Sequence, residues 1–329
     1  MKFWGLKFTD YAENVYFPNA QKNIKKSSYA NFMWVYERYL KQYWAKKNLK
    51  DITNHDVQIF YEYLAKQQLA KSTITRGILG LFRTILNDAA RNGKCPALLI
   101  RLKAPNGICD NRKRGNKMLS ETDYKKLINI LKEPLNKFKY RHAKIFSIIA
   151  LCEGLRIGEV CGLKWEDIDF ENKTITVKRT VNRIYDAETK KSKINISTPK
   201  TENSERRIPL LDLTAKKLKE YKEICNDINK TSYQYANIEN FYLLGGLSPF
   251  EPRVLRAEFE RFMKAHGLEY INPHGLRHTF CTTAINMGAP VNGVSKMLGH
   301  ANEVITLGIY NHLTESKMRE TTDILNRNI

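Results

Sequence analysis

The chain has 329 residues, a length that suits two domains, and its 42% hydrophobic and 27% charged composition excludes wholesale disorder. Lys and Arg number 55 against 34 Asp and Glu, a formal net charge of +21, with 18 basic and 8 acidic residues among the first 110. The excess is shared by both halves and is not a detachable tail; a globular body this basic attracts a polyanion, nucleic acid above all, although Lys-rich composition also serves plain solubility.

The N-terminus (MKFWGLKFTDYAEN) has no apolar stretch and meets acidic residues early, so no signal peptide is read. A short helix is expected from Phe8 to Phe17, stopping at Pro18. Ser27 or Ser28 can cap a second, with Phe32, Val35, Tyr36, Tyr39, Leu40 and Tyr43 on one stripe. Thr53 and Asp56 have capping-box spacing ahead of Val57, Phe60, Tyr61 and Leu64. Ser72 opens another helix bearing Ile74, Ile78, Leu81, Phe82, Ile85 and Ala89, closed by Gly93. Residues 1–103 thus read as a small four-helix domain, and the aromatic stripe with Trp44 reads as core in preference to a base-stacking platform.

Residues 104–117 (APNGICDNRKRGNK) carry neither helical nor strand periodicity and read as a basic linker. Arg112, Lys113 and Arg114 are either solvated there or laid on phosphates as a strap; the two readings are compatible.

From residue 118 to 329 the class changes to mixed α/β. Ser120 and Asp123 start a helix, and an apolar one runs from Phe138 to Cys152; its Ile145–Cys152 run is far short of the roughly 18–20 residues of a membrane span. Lys173–Val181 alternates like a strand, and Lys193–Ser197 with Arg206–Leu210 look like two arms around a polar turn, Pro199 to Glu205. Helices follow at about 249–265, 274–287, 291–298 and 315–327. The whole is mostly α with a small antiparallel sheet. Six cysteines (95, 109, 152, 161, 225 and 281) lack C-x-x-C spacing, against zinc modules and against a secreted disulfide scaffold, so a reducing, cytoplasmic setting is expected.

Four stretches of this second part concentrate chemistry. In EGLRIGEVCGLKWEDID, Gly154 ends a buried helix and presents Arg156 at the break, with Glu159 one turn on to orient it. TPKTENSERRIPL places Lys200 at the tip of a predicted hairpin formed by those two arms. NPHGLRHTF puts His274 and Arg277 three apart at a helix start, on one face. LGHANEVITLGIYNH sets His300 ten residues before Tyr310. Taken singly, each has a structural explanation: a capping arginine, a solvated lysine, a satisfied histidine, a core tyrosine. The set of two Arg, one Lys, two His and one Tyr is what carries weight.

The sequence resembles the tyrosine recombinase (phage integrase) family over nearly its whole length. G-L-R-I-x-E-x-x-x-L-x-W-x-D-I, T-P-K-T…R-x-I-P-L, H-x-L-R-H-T-F and L-G-H…Y occur in that family's order. The resemblance implies a helical core-binding domain and a catalytic domain that clamp double-stranded DNA. It makes Arg156, Lys200, His274, Arg277 and His300 the catalytic groups and Tyr310 the nucleophile, with no departure among the six.

Elementary chemistry agrees. Arginine forks and a histidine donor can hold the non-bridging oxygens of a phosphodiester whose charge grows in the transition state. A tyrosine must shed its proton to attack, and His274 can take it, while Lys200 can protonate the leaving 5′-oxygen. The 3′-phosphotyrosine formed keeps the bond energy, so strand rejoining needs no ATP, no cofactor and no metal. The resemblance further implies a homotetramer on two synapsed duplexes, with the C-terminal helix (Glu315–Ile329) docked on the neighbouring subunit. Accessory directionality or host DNA-bending proteins are further candidate partners, and no membrane is expected.

Rival readings are weaker. His274 and His278 are four apart like zinc ligands, with His300 as a third, but Gly275 stands where the general-base Glu belongs and Arg277 would sit beside the dication. A non-catalytic DNA-binding relative and a type IB topoisomerase are two further rivals. Within the family, the long segment Arg183–Ser197 resembles integrases of conjugative transposons, and a chromosome-dimer resolvase is the competing role.

Overall fold

The first helical segments bury a broad face, which includes rows of positions four residues apart alongside others such as Tyr11, Phe17, Leu81 and Ile85. Phe8, Ala12, Tyr16 and Ala20 form one such row; Tyr36, Leu40 and Trp44 a second; Ile74, Ile78, Phe82 and Leu86 a third. In an α-helix a four-residue step overshoots a full turn by about 40°, so each row would drift off the core. In the computed structural model each contains a π turn, Ala12–Tyr16, Tyr36–Leu40 and Thr73–Ile78, whose wider i→i+5 closure holds the row on one face.

Residues 5–105, 118–136, 139–197, 205–232 and 238–299 are described. The chain divides into two compact units, residues 1–113 with 183–193, and residues 114–182 with 194–329.

In the first unit, α1 (Phe8–Tyr11) leads through its π turn into α2 (Phe17–Asn23). The expected stop at Pro18 is therefore corrected: the Phe17 N–H already bonds five residues back to Ala12, and the displaced ladder accommodates the proline. The next helix begins at Lys26, not at a Ser27 or Ser28 cap, because the extended Lys25 turns the chain in without a side-chain bond; α3 (Lys26–Val35) continues through its π turn into α4 (Lys41–Trp44). The capping box at Thr53 is present: the Asp56 N–H donates to the Thr53 hydroxyl at 3.2 Å and the Thr53 N–H to the Asp56 carboxylate at 2.8 Å, opening α5 (Asn54–Lys66). Ser72 is not a cap, since the Thr73 and Ile74 N–H groups already bond the Ala70 carbonyl. The segment then enters α6 (Leu79–Arg91). Gly93, at φ +66°, closes it in a Schellman turn, with Lys94 N–H on Ala89 and Gly93 N–H on Ala90. Trp44 stacks on Phe82 at 4.7 Å and Tyr36 is fully buried, as expected of core; Phe32 and Tyr39 pack against that core, and Tyr43, half-exposed, rests on Phe60 and Tyr63. Beyond α6, the Asn54 side-chain amide bonds both backbone groups of Arg101, and Gln58 both of Lys103, holding this stretch extended along α5.

The second unit begins at α7 (Glu121–Lys132), capped by Ser120 as expected. Its centre is α8 (Arg141–Cys152), buried on every side from Ala143 onward; it starts three residues later than expected because Tyr140 turns left-handed at φ 55°. After α9 (Ile157–Gly162) come β1 (Ile168–Asp169), β2 (Thr174–Val177), β3 (Thr180–Asp186) and β4 (Lys191–Ser197), whose residues 183–193 fall in the first unit, and β5 (Arg206–Pro209). The single strand expected over 173–181 is two strands, broken at Lys178 and Arg179, where Arg179 turns to bond buried Asp167 at 2.6 Å.

The expected pairing of the arms flanking Lys200 is also corrected. β5 joins an antiparallel sheet of order β1-β2-β5, with Ile208 opposite Ile175, while β4 pairs with β3 in a separate ribbon. Burial explains the choice: Ile208 and Ile175 both face the core, whereas β4 (KSKINIS) has no buried position to match. The long α10 (Asp212–Ser232), which has no counterpart among the elements expected from the sequence, follows. Then come α11 (Pro252–Ala265), α12 (Pro273–Asn286) and α13 (Val291–Leu298), each within a few residues of expectation. The helix expected at 315–327 lies outside the described residues.

Candidate active site

Three loops of the second unit converge where α8, α12 and α13 end or begin. Gly154 follows α8 at φ +71°, and a Cβ there would lie 2.6 Å from Phe280 and 2.7 Å from Leu298. Only glycine can turn the chain this tightly against α12 and α13. The turn sets Arg156 at the start of α9, its side chain 41% exposed.

Glu159 organises the cluster. Its carboxylate accepts from the Arg156 backbone N–H at 2.9 Å and from the Arg156 guanidinium at 2.8 Å. It also accepts twice from Arg206, at 3.2 and 2.8 Å, and lies 4.0 Å from Arg277. Burial alone would raise this carboxyl, but the bonds and charge of Arg206 and the charge of Arg156 outweigh it and hold the group down at about 2.

Arg277 enters from the first turns of α12. The Asn272 side chain caps that helix, accepting from the His274 and Gly275 N–H groups, with Pro273 at its first position. Arg277 is 2% exposed and donates to the Gly154 carbonyl at 2.8 Å and the Leu298 carbonyl at 2.7 Å, tying the ends of α8 and α13 together. Burial and the neighbouring Arg156 lower its pKa to about 9, which leaves it charged at neutral pH. These bonds commit two of its five N–H groups.

His274 lies beside this cluster, its ring edge-on to His278 at 4.6 Å. Loss of water around the ring, then the charges of His278, Arg277 and Arg156, push it down to about 4, so the imidazole is neutral at physiological pH and able to accept a proton. Among the described residues, no group of three or more His, Cys, Asp or Glu side chains gathers as a metal site would need.

The structure thus brings together Arg156, Glu159, His274 and Arg277. Lys200, His300, Tyr310 and the linker residues Arg112, Lys113 and Arg114 lie outside the described residues. Just after α13 stands Gly299, at φ +63°, where a Cβ would meet the Arg206 guanidinium at 3.1 Å. Arg206 is the site residue that sequence reasoning misses. It is the arginine of the R-x-I-P-L run, and that motif is the signal that could have found it.

A cluster of arginines about one carboxylate, with a neutral histidine beside it, is suited to a phosphodiester. Comparison with known proteins agrees. Residues 117–317 match the phage integrase family and residues 7–99 the phage integrase SAM-like domain. A tyrosine recombinase XerC-like protein of Caldanaerobacter subterraneus subsp. tengcongensis is 27% identical over 339 residues, covering 98% of this chain and 84% of the relative. The ICEBs1 integrase of Bacillus subtilis is 24% identical, covering 95% and 81%. A structure of the Tn1549 transposon integrase in complex with a circular intermediate DNA shares the fold at a TM-score of 0.73, with 20% identity, covering 97% of this chain and 99% of that one. The chain belongs to the phage integrase family and is a tyrosine recombinase, an enzyme of site-specific DNA recombination similar to the integrases of conjugative transposons.

Proposed function

We propose that this recombinase cuts and rejoins double-stranded DNA through Tyr310, to integrate or excise a mobile element. The observation that carries the residue roles is the joint clamp of Arg156 and Arg277 around Glu159, beside a neutral His274. The two forks bind the non-bridging oxygens of the scissile phosphate, with His300 a third donor. The Tyr310 oxygen attacks phosphorus as its proton passes to His274. The bond to the 5′-oxygen breaks, and Lys200 protonates that oxygen. A 3′-phosphotyrosyl linkage and a free 5′-hydroxyl result; attack by the 5′-hydroxyl of the partner strand reverses the sequence and releases the tyrosine. No net bond energy is lost, so neither nucleotide nor metal is required.

The charge of +21 supports a DNA partner, and Arg112, Lys113 and Arg114 would lie on phosphates between residues 1–103 and 118–329, the helical and catalytic domains expected from the sequence. Four strand breaks need four tyrosines, so the working species is a tetramer on two duplexes, its C-terminal helix exchanged between neighbours. The setting is the cytoplasm, with the enzyme on the nucleoid when bound and accessory directionality or DNA-bending proteins assisting. A chromosome-dimer resolvase is the second reading, favoured by the similarity to a XerC-like protein along 98% of the chain. The test is a nicked suicide duplex drawn from the DNA flanking its own gene. The wild-type chain forms a covalent adduct, and Tyr310→Phe binds the duplex without forming one; an adduct with the Phe variant refutes the assignment of the nucleophile.

A further inference from the structure

Arg206 is not one of the six residues assigned to catalysis, yet its side chain is only 8% exposed and each of its three nitrogens makes a hydrogen bond. Two of its nitrogens bond the two oxygens of Glu159, and its Nε donates to the Met297 carbonyl at 2.7 Å. The carbonyl lies in the last turn of α13, and Gly299 just beyond leaves room for the guanidinium. Glu159 is buried, so its negative charge must be met by whatever cation is within reach. Among the described residues the other cations paired with it are Arg156, already bonded to it, and Arg277, held at 4.0 Å by its bonds to Gly154 and Leu298.

We propose that Arg206 is a positioning residue: by holding both oxygens of Glu159 it keeps Arg277 from closing on that carboxylate, so that its charge faces the scissile phosphate. Without Arg206, Glu159 draws Arg277 in from 4.0 Å, and a second guanidinium joins Arg156 on the carboxylate in place of facing the phosphate. With it, three guanidinium groups and one carboxylate leave two positive charges, matching a phosphodiester that gains negative charge on attack. This rests on the phosphate-binding roles proposed above for Arg156 and Arg277.

The full chain is assayed for single-turnover covalent complex formation on the nicked duplex, with DNA affinity and thermal stability measured alongside. Arg206→Gln slows adduct formation by about tenfold or more while DNA affinity changes less than about twofold. Arg206→Lys, which restores a charge but not the fork, loses about threefold. Glu159→Gln placed in the Arg206→Gln background recovers rate, because no buried carboxylate is left to capture Arg277. A wild-type rate for Arg206→Gln overturns the proposal. So does a loss of cleavage that only tracks lost stability, or an Arg206→Gln background in which Glu159→Gln gives no relief. Should Arg206→Gln fail to fold, Arg206→Lys with and without Glu159→Gln carries the test on the same terms. Tyr310→Phe separates the layers: if it still forms the adduct, the site reading itself fails; if it does not and Arg206→Gln is silent, only the role of Arg206 falls.

Discussion

Glu153 carries a stability cost that can be switched off by one substitution. It is 0% exposed at the end of α8; one carboxylate oxygen accepts from the Leu211 N–H at 3.0 Å, and the other is buried without a well-aligned hydrogen bond, as is the Thr214 hydroxyl beside it. Burial raises its pKa from 4.5 to about 6, with the Leu211 N–H and the Thr214 hydroxyl only partly offsetting this. The folded pKa is the higher one, so the penalty is absent below pH 4.5, grows as pH rises toward about 6, and is complete above it. At about 1.4 kcal/mol per pH unit, the gap amounts to about 2 kcal/mol of stability missing at neutral pH. Glu153→Gln keeps an acceptor for Leu211, removes the charge, and offers an amide to Thr214. Denaturant unfolding of the free protein at pH 8 should show the variant more stable by up to about 2 kcal/mol, about 4–8 °C in Tm for a unit of this size, with the difference vanishing near pH 4. A difference that does not change between those two pH values, or a variant less stable at pH 8, would refute the account.

Arg277→Lys should retain DNA binding but lose about 10²–10³-fold in single-turnover cleavage, because an ammonium cannot hold the Gly154 and Leu298 carbonyls and still present a fork to phosphate. Cleavage should proceed unchanged in EDTA; activity that disappears and returns with zinc or magnesium alone would replace the arginine mechanism with a metal one. Deleting residues 315–329 should leave single-duplex binding nearly intact and abolish the four-subunit, two-duplex complex seen by native mass spectrometry or two-colour gel shift, whereas a truncated chain that still synapses would place the tail on its own subunit.

Much of the architecture is legible in the sequence because local rules and burial agree. The Thr53 capping box, the Gly93 Schellman turn, the Ser120 cap and helix α13 over Val291–Leu298 all form where their residues ask for them. The departures have specific causes. Pro18 looks like a boundary by its local preference, but the buried row Phe8–Ala20 runs through it on a widened turn, and at Ser27 and Ser72 the helix starts just upstream on backbone geometry alone. The helix Asp212–Ser232 is so rich in lysine and glutamate that the spacing of Ala215, Leu218 and Tyr221 is masked.

For the site, sequence alone determined which chemical groups are available: two arginines, a lysine, two histidines and a tyrosine in a recognisable order, with Glu159 one turn after Arg156. It could not decide partnership, which depends on where the strands and helix ends meet. Pairing β5 with β2 and not with β4 is a matter of which face Ile208 buries, and that pairing carries Arg206 to Glu159 and to the Met297 carbonyl. The contacts span 47 residues to Glu159 and 91 to Met297, so no local pattern could have announced them. Residue identity is written along the chain; the charge balance of the cleft exists only once the core has closed around one buried carboxylate.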